Sequence, residues 1–338
     1  MNGKTDFAET DRQRYKGSLI RADVRGAIDC LEQCGETDRL RELQKRLEDM
    51  PRVRTGNAQA DRIAEAYMKY FQDCFTPGSG NADTARMREP GARMVLEKRL
   101  REILQKKDGD MAKLEGWMAP VFKSLGWFFL GGKTMGFYGP YVWEKTEKTD
   151  YEVELPSGTE SVTVYWMDGF IIRSWLAWLS GDEFGTGGWA NDDGIYCVKS
   201  VYSADLQDPV FAISFLKHEA QHHADYRYGS MASRDLEYRA KLVELIYYPT
   251  SAFFASLLSS GDLSDRSNSH AYAAAEIIRR LSGCLAPDIM ENDLRKAAYS
   301  DEVWDRHKEK IRGAALYLLE EHTGLIEKAR PSAEIAII

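Results

Sequence analysis

Apolar side chains recur at helical spacing through the first third of the chain, alternate with polar ones in the middle, and return to helical spacing after residue 209. Ile20, Ala27, Ile28, Leu31 and Cys34 mark one amphipathic helix ended near Gly35, and Leu40, Leu43 and Leu47 mark the next, before Pro51. A third helix carries Ile63, Ala64, Tyr67, Tyr70, Phe71 and Cys74 and stops at Pro77, Gly78, Ser79 and Gly80. Met94, Val95, Leu100, Ile103 and Leu104 define a fourth. From Trp127 to Tyr202 the pattern is that of β-structure. Residues 151–155 and 162–166 alternate on either side of a Pro-Ser-Gly turn and predict a hairpin. The Gly-rich stretch 185–194 predicts a flexible loop, and 195–202 a strand. Pro209 then suits a first helical turn, and no breaker follows until Gly229, so one helix of about five turns is expected. Further helices are predicted over 236–258, 272–281 and 303–319, punctuated by Gly261, Pro287 and Gly324.

The helix after Pro209 carries His218, Glu219 and His222 in the order HExxH. Side chains four apart on a helix lie one above the other, with Cβ atoms about 5–6 Å apart, which lets two imidazoles converge on one metal ion. Glu219 lies about 100° around the helix from His218, outside the pair of ligands but within reach of a water beside the ion. Phe211, Phe215, His218 and His222 share one stripe, while Ile213, Leu216, Ala220 and Ala224 make another. A helix apolar on most sides is buried, and two buried imidazoles need partners that a metal would supply. His223 points away from His222 and is not expected to be a ligand.

A catalytic zinc site usually takes three protein ligands. A third His in the pattern HExxHxxGxxH would be residue 228 with Gly at 225, but these are Tyr228 and Asp225. On the next predicted helix Glu237, Lys241 and Glu244 share a face, and either carboxylate could approach the ion. Read with Glu237, the segment has Glu-x-x-Ala through Ala240, and over residues 218–240 it resembles the gluzincins, a group of zinc metallopeptidases. The resemblance implies that His218, His222 and Glu237 bind zinc, that Glu219 is the catalytic base, and that Ala240 lets the two helices pack closely. Lys241 departs from the acidic residue that many gluzincins place after the small one.

Asp225, three residues after His222 on the same face, is the candidate carboxylate to orient an imidazole or the helix itself. Amide hydrolysis also needs a donor for the developing oxyanion. Tyr226, Tyr228, His270 and Tyr272 are available for that role, the last two at the start of a helix that follows the loop 261–269.

Composition narrows the alternatives. The chain has 338 residues, 43% hydrophobic and 29% charged, as expected of a globular protein with a substantial core. A net charge of −8 offers no electrostatic footprint for nucleic acid. No run has the length to span a bilayer, and residues 1–9 contain no apolar export segment, so the cytoplasm is expected, although a removed export signal would leave the same sequence. The five cysteines, Cys30, Cys34, Cys74, Cys197 and Cys284, are scattered without a CxxC and suit reduced thiols, with Cys30 and Cys34 packing on a helix face. The Gly-rich loop lacks the order of a phosphate cradle, and Asp192-Asp193 suits a solvated turn.

The expectation is therefore an α-rich α+β chain. It has an N-terminal helical region over 1–110, and over 111–338 a zincin-like metallopeptidase domain whose small antiparallel-type sheet precedes the HExxH helix. In zincins a strand edge before that helix commonly pairs with the substrate backbone. The expected partner is a peptide or protein substrate and the expected cofactor zinc. A zinc hydrolase of a non-peptide amide or ester, and a binding or scaffold protein with a structural or relict metal site, are the alternatives.

Overall fold

The computed structural model describes residues 9–76, 82–266, 268–285, 301–329 and 334–338. The start of the chain through residue 8, the Pro77–Gly80 stop and Pro287, on which sequence expectations rest, lie outside these residues. The chain divides into two compact units, Met1–Thr146 with Met167–Thr186, and Glu147–Trp166 with Gly187–Ile338. Residues 1–110 fall within the first unit, and 111–338 are shared between the two.

The first unit is mainly helical: α1 (Glu9–Ile20), α2 (Val24–Cys34), α3 (Thr37–Glu48), α4 (Ala58–Phe75), α5 (Ala82–Leu104), α6 (Met111–Ser124) and α7 (Ser174–Ser180). The helix expected from Ile20 to Cys34 is two helices. Ala22 takes a left-handed φ of 59°, and Asp23 caps α2 by accepting from Gly26 N–H. Gly35, at φ 72°, closes α2 in the left-handed conformation that a side chain would disfavour. The fourth helix begins earlier than its apolar pattern suggests, at Ala82, and runs through Pro90. Aromatic rings of Tyr67, Tyr70, Phe71, Phe75, Phe122, Phe137 and Trp175 fill the core of this unit. Cys30 is buried there with Ala27 and Leu31, as its helical position predicts. Short strands β1 (Phe128–Leu130), β2 (Lys133–Thr134) and β3 (Phe137–Tyr138) follow α6, and β1 pairs antiparallel with Tyr141–Trp143.

The predicted hairpin is longer than its alternating segments. β4 (Tyr141–Leu155) and β5 (Gly158–Arg173) flank a two-residue turn, and both strands belong in part to each unit. Within the second unit Val153, Leu155, Val162, Val164 and Trp166 turn into the core at every other position. β6 (Gly188–Asn191) and β7 (Gly194–Val198) follow, and the five-stranded sheet has the order β1-β4-β5-β7-β6. The stretch expected to be a flexible loop thus contains β6 and the first residue of β7, and the strand expected to reach Tyr202 ends at Val198. Asn191-Asp192-Asp193-Gly194 is a tight hairpin connection, with Gly194 at φ 140°, and the neighbouring glycines mask it in the sequence.

The helix after Pro209 is not uniform. Pro209–Phe211 (α8) leads into a π-helical segment, Ala212–Lys217, then His218–Asp225 (α9) and a 3-10 turn, Tyr226–Tyr228. Phe211 and Phe215, four apart on one face, both lie in the core, where Tyr202 stacks on Phe215 at 4.4 Å. π-Helical turns inside α-helices occur frequently at functional sites, and this one runs directly into His218. α10 (Ser233–Tyr247), α11 (Ala252–Ser260), α12 (Ser269–Cys284) and α13 (Asp301–Ala329) complete the unit. The helix expected over 236–258 is broken between α10 and α11, where Pro249 cannot continue it. The architecture is α-rich α+β, and no described helix is long and apolar enough to cross a membrane.

Candidate metal centre

Two anchors hold α10, one to α9 and one to the C-terminal tail and α13. Asp225, fully buried at the end of α9, accepts from Gln221 Nε2 and from Arg239 Nε of α10, each at 2.8 Å. Asp235, in the first turn of α10, accepts from Ile337 N–H at 3.0 Å and Ile338 N–H at 3.1 Å, and lies 2.9 Å from His322 Nε2 of α13. Ala240 is wholly buried, and Tyr238, Leu242, Val243 and Leu245 seat α10 in the core. The position of Glu237 follows from these contacts.

The imidazoles of His218 and His222 meet nearly edge to face, centroids 4.7 Å apart and planes at 88°. Their Nε2 atoms are 3.0 Å apart. Glu237 faces both, with Oε2 3.6 Å from His218 Nε2 and Oε1 3.6 Å from His222 Nε2. One donor atom from each of the three residues lies within 4.8 Å of the others. A tetrahedral ion with bonds of about 2.0–2.1 Å separates its ligand atoms by about 3.3 Å, close to this spacing, and two imidazoles with a carboxylate are a donor set that suits zinc. His222 Nδ1 is buried with no hydrogen-bond partner among the described residues.

Glu244 lies behind His218, with Oε1 2.6 Å from Nδ1. An Nδ1–H donated to that carboxylate leaves the Nε2 lone pair directed at the centre, the usual way a protein fixes a ligating imidazole. By sequence, Glu244 is a candidate ligand and Asp225 the candidate orienting carboxylate. The structure puts Glu244 on the imidazole and Asp225 on Gln221 and Arg239, where it orients the helices rather than an imidazole. The seven-residue step from Glu237 to Glu244 on one helix face is the signal the sequence offers for this arrangement. His270, at the start of α12, brings Nδ1 to 2.7 Å from Glu237 Oε2 while its side chain stays 69% exposed. The Tyr272 hydroxyl accepts from Arg266 Nε at 3.2 Å. His223 points away, Nδ1 2.8 Å from Glu160 Oε1 of β5, as expected of a non-ligand. Glu219 is half-buried and has no hydrogen-bond partner among the described residues.

The electrostatics are those of a cation site. Burial disfavours charge on His218, but Glu244 and then Glu237 and Glu219 outweigh it and push the imidazole from 6.5 up to about 9. Burial likewise opposes charge on Glu237, yet His222, His270 and His218 hold its carboxyl well below the usual carboxylate range. Without metal, a proton on His218 is the cation that these carboxylates hold. Because the folded value lies above the unfolded one, this contribution to stability is complete below pH 6.5 and is lost as pH rises through about 9. The melting temperature of metal-free protein is expected to fall between pH 6.5 and 9, and the affinity of the cluster for a metal cation to rise over the same window, because such binding would displace that proton. A flat melting profile for stripped protein across this range contradicts the assignment.

No family model, no curated protein and no solved structure matches the chain.

Proposed function

We propose that the chain is a zinc-dependent metallopeptidase with a zincin-like core, in which His218, His222 and Glu237 hold the ion. The observation that carries this reading is the convergence of the two Nε2 atoms and one carboxylate on a single point, with Glu244 fixing His218 from behind. Bound there, zinc would serve as a Lewis acid toward the scissile carbonyl and the attacking water. Glu219 takes the proton from that water and delivers it to the leaving amine, a role open to a carboxylate that makes no side-chain hydrogen bond among the described residues. His270, exposed beside Glu237, would donate toward a developing oxyanion. The substrate main chain adds to the outer edge of β6, the last strand of the sheet among the described residues. A reducing compartment such as the cytoplasm fits five cysteines that form no disulfide.

Elemental analysis and peptide cleavage test the proposal together. Purified protein is expected to carry close to one zinc per chain, to cleave a random-sequence decapeptide mixture, and to lose and regain that activity with chelation and zinc. Protein that binds zinc tightly yet leaves both the peptides and a set of small amides and esters intact would instead hold a structural ion.

A further inference from the structure

The register of β6 decides which of its main-chain groups face outward. Val198 N–H donates to Gly187 C=O at 2.8 Å, and pairing then runs Gly188↔Cys197, Trp189↔Tyr196, Ala190↔Ile195 and Asn191↔Gly194. Bonded and non-bonded pairs alternate along an antiparallel ladder. Gly187, Trp189 and Asn191 therefore turn N–H and C=O toward β7, and Gly188 and Ala190 turn theirs away from it. Among the described residues the sheet ends at β6, so these groups face no further described strand. Gly188 is held close to the helix side, where a Cβ would sit 2.2 Å from Tyr196 O and 2.5 Å from Phe215 Cε2. Gly188 N–H, Gly188 C=O and Ala190 N–H have no partner among the described residues.

Ala190 C=O is different. The hydroxyl of Tyr226, the residue directly after α9, donates to it at 3.0 Å. Tyr226 is half-buried, and the charge of Glu219 adds to burial in raising its phenol, so the hydroxyl lies within the field of the proposed base. An extended chain laid along β6 would bring one of its own N–H groups to this carbonyl, where the Tyr226 hydroxyl already stands.

We infer that Tyr226 is a latch on the edge strand: it fills the acceptor that a substrate N–H would use, and productive binding exchanges the phenol for the substrate main chain. This rests on the peptidase reading of the site. The exchange makes the Ala190 acceptor neutral for affinity, so net binding comes from the groups at Gly188 and Ala190 N–H. The latch thus favours chains extended over several residues above dipeptides that reach only one group.

The test uses full-length, zinc-loaded protein and the peptide it cleaves fastest from a random-sequence decapeptide mixture. Tyr226→Phe is expected to lower KM about five-fold, the equivalent of one neutral hydrogen bond no longer displaced, and to raise kcat/KM accordingly. In a series methylated at one backbone nitrogen at a time, a single position should abolish the difference between parent and variant. An unchanged KM, a fall in kcat without a change in KM, or a difference that persists through every methylated peptide overturns the latch and leaves the peptidase reading standing. A zinc-loaded parent that cleaves no peptide takes both down.

Discussion

Replacement of Glu219 by Gln is expected to leave zinc bound and to reduce kcat by about 10²–10⁴-fold, the usual contribution of a positioned general base. The side chain sits one residue along α9 from His218, on the half-buried side of the helix, and donates to or accepts from no described neighbour. Gln has the same shape and can still hold a water, but it cannot take a proton. The loss should therefore appear in kcat with zinc stoichiometry intact. His218, His222 and Glu237 retain every contact they make with one another, since none of those contacts passes through Glu219. If E219Q keeps one zinc per chain and turns over peptides at the parental rate, the base is another group and the mechanism is misassigned.

The stacking of His218 over His222 could be read from sequence because it depends on a local rule, whereas the approach of Glu237 rather than Glu244 to that pair depends on how α10 lies against α9. Four-residue spacing on a helix stacks His218 over His222, and the repeat of the next helix puts Glu237 and Glu244 on one face. What could not be read is tertiary. The partner of His218 Nδ1 depends on how α10 lies against α9, and that placement is set by Asp225–Arg239 and by the tail residues Ile337 and Ile338 bonding to Asp235. No spacing rule links residues 235 and 338. His270 reaches Glu237 across 33 positions of chain for the same reason. The π-helical segment before His218 is hidden because its composition, Ala-Ile-Ser-Phe-Leu-Lys, is that of an ordinary buried helix. There the packing of Phe211 and Phe215 overrides the local pattern. The β6–β7 hairpin shows the opposite failure: a legible turn signal, Asn-Asp-Asp-Gly, is outweighed by the glycines beside it.

Zinc affinity separates the two glutamates of α10. Glu237 presents both carboxylate oxygens to the imidazole nitrogens at 3.6 Å, whereas Glu244 meets only the rear nitrogen of His218, at 2.6 Å. Glu244→Gln keeps an acceptor for the Nδ1 proton and removes the charge that makes His218 a stronger donor, so affinity should fall by roughly 10–100-fold, the range found when a partner behind a ligand is lost. Glu237→Gln removes the anionic ligand itself and should weaken binding well beyond that range, with protein isolated largely free of zinc. Both side chains are buried and the substitutions nearly isosteric, so circular dichroism should show the helices unchanged in each. Competition titration against a calibrated chelator gives the ranking directly. The reverse order, with E244Q the more severe, would make Glu244 the ligand and Glu237 its support. That outcome would require the His218 ring to turn over and offer Nδ1 to the ion, moving the centre to the far side of the imidazole and away from His222 Nε2, which now lies 3.0 Å from His218 Nε2.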